Sequence, residues 1–88
     1  MSLTILQMQM AMEATLAKAR EVGLDNMSSD CAEADYPHLV DMFQRAQEFT
    51  DEGKMGRWLG WMQACVVINS MGQLDLQDVM EINKGFVG

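Results

Sequence analysis

Apolar residues recur along this chain at helical spacing and mark out four segments. In residues 4–22, Ile5, Met8, Met12, Leu16 and Ala19 share one face, with Thr15 and Val22 at its edge. Gly23 is placed to stop that helix, and Lys18 and Arg20 suit the negative end of its dipole. Residues 23–36 are rich in turn formers and acids and read as a connection. Asp30 and Glu33 are spaced as a capping pair, so a short helical turn is predicted there. Pro37 favours a first helical position, and Leu39, Met42, Phe43, Ala46 and Phe49 line one face of a second helix over 37–50.

The stretch from Lys54 to Met71 is the longest mostly apolar run and holds both tryptophans. Read at 100° per residue, Trp58, Leu59, Trp61, Met62, Cys65, Val66 and Ile68 fall within half the circumference. Val67 and Met71 widen the arc, leaving Gly56, Gly60, Gln63 and Ser70 as the narrow polar or small strip. A helix this apolar calls for cover on most sides, which places it at the centre of the domain. It is too short and too interrupted by Gln63 and Asn69 to span a bilayer, which needs about 20 apolar residues. Gly56, Gly60 and Ala64 recur every fourth residue, a spacing that lets a second backbone approach, within the subunit or across a dimer. In the last segment Asp75 is an N-cap, Leu74 and Val79 occupy the staple positions, and Gly85 is a stop. Leu76, Val79 and Met80 are predicted to face the core, with Phe86 folding back over the end. The prediction is an all-α single domain, residues 1–88, built as a small four-helix bundle around a central apolar helix at about 52–71.

Charge changes this picture in one place. The net charge is −7, and residues 25–52 carry all of it, with eight acids against Arg45 alone. Asp25, Asp30, Glu33 and Asp35 concentrate it in the first connection. Such a surface argues against direct binding to nucleic-acid phosphates, which calls for basic side chains. It suits either ordinary solvation or a partner with a basic surface. Two cysteines, Cys31 and Cys65, are too few for a disulfide framework, and no basic region followed by an apolar run suggests a signal peptide. A reducing, cytoplasmic setting is the expectation.

The run Lys54-x-x-Arg57-Trp58-Leu59-Gly60-x-x-Gln63, followed by Gly72 and an acid-capped helix over Leu74 to Asn83, resembles a signature of small proteins encoded by tailed bacteriophages and prophages. The resemblance covers residues 54–83 and does not reach the first helix or the acidic connection. It implies a small phage-type accessory protein in a bacterial cytoplasm and assigns no reaction.

Catalytic and metal-binding patterns are sparse. His38 is the only histidine; no CxxC or HExxH spacing occurs, and the acids of 25–35 lack the calcium-loop pattern. No cofactor, metal or catalytic residue is expected. A Cys65–His38 pair would need an exposed, activated thiol, and the apolar neighbours of Cys65 predict the opposite. Arg57 and Trp58 are candidates for an interaction patch, the alternative being Trp58 in the core with Arg57 paired to an acid such as Glu48. The first helix carries a second apolar strip, Leu6, Met10, Ala14 and Ala17, available to another helix of the bundle or to a partner. Ten methionines add adaptable apolar surface, Met10 and Met27 outside the predicted core. The expectation is a non-enzymatic interaction protein, homo-oligomeric through the first helix, with a host or phage protein as a further partner. The alternative is an acidic antagonist that occupies a basic surface of such a protein.

Overall fold

A computed structural model describes residues 3–27 and 29–87. Four helices are present: α1 (Ile5–Glu21), α2 (Tyr36–Ala46), α3 (Glu52–Asn69) and α4 (Leu76–Lys84). Two single-turn 3₁₀ segments, Leu24–Asn26 and Ala32–Ala34, shape the α1–α2 connection. No strand occurs among the described residues. The protein is a small all-α four-helix bundle, and no described helix is long and apolar enough to cross a membrane.

Local chemistry sets the helix ends. Thr4 caps α1: its hydroxyl accepts from the Gln7 N–H at 3.1 Å, while the Gln7 side chain accepts from the Thr4 N–H at 2.8 Å. Gly23, at φ 86°, ends it in the left-handed region. Asp51 caps α3 by accepting from the N–H groups of Gly53 and Lys54. Asp75 and Asp78 form a reciprocal capping box on α4, and the staple residues Leu74 and Val79 are both buried. The Asp30–Glu33 capping pair does not form: the turn there begins at Cys31 with no side-chain cap. α2 stops at Ala46 rather than at residue 50. Its hydrogen bonds tighten to i→i−3 at Gln47, Glu48 and Phe49, which turns Phe49 back against Trp58.

α1 and α3 form the most extensive helix pair. They run parallel: Met8 lies beside Gly56 and Thr15 beside Gln63. α2 runs opposite to α1, with Gln9 bonded to the Ala46 carbonyl and Arg20 to the Tyr36 hydroxyl. α4 runs opposite to α3, bringing Asn83 to Gln63. Ala11, Thr15 and Ala19, spaced by four and fully buried, let α1 approach α3 closely. The up-down bundle is therefore flattened to 31 × 24 × 16 Å, with α2 and α4 each packed on the α1–α3 pair.

Three predictions of sidedness are corrected. α3 shares the centre with α1, and its outer side is open: Trp61 is 45 % and Ile68 73 % exposed. Gln63 and Ser70, assigned to the polar strip, are instead buried. On α4, Val79 faces inward as predicted, but Leu76 and Met80 point outward; Ile82 and Phe86 complete the contact with the core. Gly56 and Gly60 receive no backbone from within the subunit. A Cβ at Gly56 would meet only the Met8 sulfur, and one at Gly60 would meet nothing.

Candidate functional site

The Lys54-to-Gln63 motif divides its side chains between structure and surface. Trp58 is half-buried and stands edge-on to Phe49, ring centroids 4.6 Å apart at 79°. Lys54 places its ammonium 4.5 Å from the Phe49 ring centre and 5.6 Å from that of Trp58. Arg57 is exposed and makes no ion pair with Glu48 or any other described residue, contrary to the pairing considered from sequence. Leu59 enters the core. Gln63 donates to Asn83 and Thr15 inside the bundle. The motif therefore serves mainly to build the bundle, leaving Arg57 and Gly60 on the outside.

The acidic connection is tied to α3 from the side. Trp61 Nε1 donates to the Glu33 carbonyl at 3.1 Å, and Asn69 Nδ2 to that of Ala34 at 2.9 Å. Asp35 accepts from the Ser29 N–H and so closes the connection on itself. Asp25, Asp30 and Glu33 stay exposed. The Glu33 carboxyl is held below the usual range by its own backbone N–H and by the Cys31 thiol, 3.3 Å away.

Between this connection, α2 and α3 lies an open cleft of about 510 Å³, where Glu33, His38, Asp41, Arg45, Trp58 and Trp61 meet. Arg45 is paired to Asp41 at 2.9 Å, which occupies its guanidinium. The Cys31 thiol donates to the Glu33 carboxylate at 3.3 Å, with no basic side chain beside it. Cys65 is buried, and burial first, then its neighbour Cys31, pushes its thiol up. Neither sulfur therefore has the electropositive setting that activates a nucleophile. Among the described residues no group of three or more His, Cys, Asp and Glu could hold a metal ion.

What the chain does display is apolar surface. On α1, Leu6 is 65 % and Met10 44 % exposed, Ala17 is exposed and Ala14 half-buried. The larger face lies on α3 and α4. Ile68, Leu76 and Met80 line a shallow groove of about 400 Å³ together with Gly60 and Ala64, while Met71, 83 % exposed, lies on a separate groove beside the α1–α2 connection. Reasoning from sequence assigned Ile68, Leu76 and Met80 to the core and so missed this face. The signal that locates it was available: Val79, Ile82 and Phe86, at i, i+3 and i+7, define an inward face that excludes Leu76 and Met80. No protein-family model, curated protein or solved structure matches this chain.

Proposed function

We propose that the chain is a non-enzymatic protein–protein interaction module that self-associates, a phage-type accessory protein acting in a bacterial cytoplasm. The observation that carries this reading is the large apolar side chains left uncovered by the chain's own fold, on α1 and across α3–α4. Two surfaces are open to a partner: the α1 strip of Leu6, Met10, Ala14 and Ala17, and the α3–α4 face flanked by Arg57. Methionine makes up part of both, and its side chain adapts to irregular partners. Sedimentation equilibrium on the wild-type chain tests the reading. Association in the micromolar range is expected, and a chain that stays monomeric at high micromolar concentration overturns self-association. Leu6→Glu with Met10→Glu tests the α1 surface, both positions being exposed enough to accept charge without unfolding.

A second reading is favoured by the charge arrangement. Asp25, Asp30 and Glu33 make no ion pair with a described residue. As an acidic antagonist, the chain would present them to a basic surface of a host or phage protein. Binding of that kind weakens steeply with salt, and a complex that survives half-molar salt counts against it.

A further inference from the structure

We infer that the cleft between the α1–α2 connection, α2 and α3 seats an arginine side chain from a basic segment of another protein, its guanidinium stacked on Trp61 and paired with the Glu33 carboxylate. This rests on the second reading above, the acidic antagonist, and names its site and the side chain it takes.

The cleft, about 510 Å³, is large enough for that side chain and lies in the size range of ligand sites. Its lining is mostly aromatic and apolar. Trp61 is 45 % exposed, Trp58 is half-buried and held edge-on by Phe49, and Met42 is buried beside them. Such walls suit the methylene stem of a long cationic side chain, and an indole face suits its charged head. One hydrogen bond organises the site. Trp61 Nε1 donates to the main-chain carbonyl of Glu33 at 3.1 Å, which fixes the indole beside the residue that supplies the carboxylate. The indole N–H is satisfied by the main chain, so it does not compete for that carboxylate. Ring and anion are thus in place before a partner arrives, which lowers the ordering cost of binding.

The charges around the cleft leave one anion open. Glu33, Asp41 and Arg45 line it, with His38 and Cys31 as the other titratable groups. Asp41 and Arg45 neutralise each other at 2.9 Å. Glu33 makes no ion pair with a described residue, and its carboxylate accepts only from the Cys31 thiol, a weak donor, at 3.3 Å. Lys54 stands outside the lining, its ammonium 4.5 Å from the Phe49 ring centre and 5.6 Å from that of Trp58. Among the described residues no cation sits over Trp61. Asp25 and Asp30, exposed on the same connection, extend the negative field toward solvent and steer a basic segment inward. A planar guanidinium stacks on an indole and forks onto a carboxylate at once, whereas an ammonium is a point charge that serves one contact at a time. Charge also weighs against a second copy as the occupant, since each chain carries −7.

A short capped peptide of alternating glycine and arginine, titrated into the full chain at low salt and followed by tryptophan fluorescence, tests the inference. Circular dichroism is the folding control. Saturable binding is expected, several-fold weaker for the lysine version of the peptide and absent for the citrulline version. Glu33→Gln should weaken binding about fivefold or more. Trp61→Leu should weaken it about threefold or more. Glu81→Gln removes the same charge from the exposed side of α4 and should change binding by less than about twofold. Equal losses in Glu33→Gln and Glu81→Gln would show a diffuse acidic surface, which overturns the site and leaves the antagonist reading standing. An arginine peptide that fails to bind at millimolar concentration overturns both. A wild-type dimer that dissociates on Glu33→Gln would place a second copy in the cleft and overturn the basic partner.

Discussion

Gln63 and Asn83 exchange amide hydrogen bonds between α3 and α4, 2.7 Å from Gln63 Nε2 to Asn83 Oδ1 and 3.0 Å from Asn83 Nδ2 to Gln63 Oε1. Gln63 Nε2 also donates to Thr15 Oγ1 at 3.2 Å, and the Thr15 hydroxyl donates to the Ala11 carbonyl at 2.7 Å. One polar chain thus links three helices inside an otherwise apolar interior. Gln63→Met keeps the volume but strands the Asn83 amide, and about 1–3 kcal/mol of stability should be lost. Adding Asn83→Leu should return part of it. A double-mutant cycle by urea denaturation should give a coupling of about 0.5–3 kcal/mol; a coupling near zero would show that the pair contributes nothing jointly.

Met71 occupies the left-handed region at φ 55° while 83 % of its surface is exposed. A side chain in that conformation costs about 1–2 kcal/mol, and here the monomer recovers little of it by burial. Met71→Gly should therefore raise the stability of the isolated subunit by about 1 kcal/mol. Thermal denaturation at low concentration reads it.

The two thiols should differ sharply in reactivity. Cys31 is exposed and should react with a thiol reagent within seconds to minutes in the native protein, whereas Cys65 should react only as fast as the chain opens. Burial raises the Cys65 thiol above its unfolded value, so the folded state holds its proton more tightly. The sign follows: the contribution is complete below the unfolded value, near pH 8.5, and is lost as pH rises above it. Cys65→Ala should flatten the alkaline limb of a stability–pH profile.

Phe49 holds the α2–α3 corner through Trp58 and seats the Lys54 ammonium. Phe49→Ala should cost about 2–3 kcal/mol, less than a fully buried phenylalanine, because the ring is only half-buried. Lys54→Met should cost no more than about 1 kcal/mol, since the ammonium is exposed. Urea titrations followed by tryptophan fluorescence measure both.

Helix number and most boundaries were legible because their determinants are local: Gly23, Pro37, the Asp75–Asp78 box and the Leu74–Val79 staple each act within a few residues. The inner sides of α1 and α2 were legible too: Met8, Met12 and Leu16, and Leu39, Met42 and Ala46, are buried as their spacing predicts. α3 defeated the same reasoning because it is apolar nearly all round, so periodicity alone does not choose its inner side. Its choice depends on Gln63 finding Thr15, which is 48 residues away in sequence, and Asn83, which is 20 away. Ser70 is likewise buried because the turn offers its hydroxyl the Val67 carbonyl at 2.7 Å and the Leu74 N–H at 3.0 Å. Polar residues inside and aliphatic residues outside both follow from partners that local pattern does not reveal.

The parallel pairing of α1 with α3 has a kinetic side. Their contact joins residues some 48 positions apart, so α1 waits for a distant segment while only its smaller contacts with the Leu24–Asn26 turn and α2 are near at hand. Closing that distance costs loop entropy before the main apolar contact forms. For a helical protein this raises the contact order and slows folding relative to bundles in which neighbouring helices dominate. During synthesis, a nascent chain ending before α3 would hold Met8, Met12 and Leu16 without their principal cover, exposed to chaperones until the second half emerges.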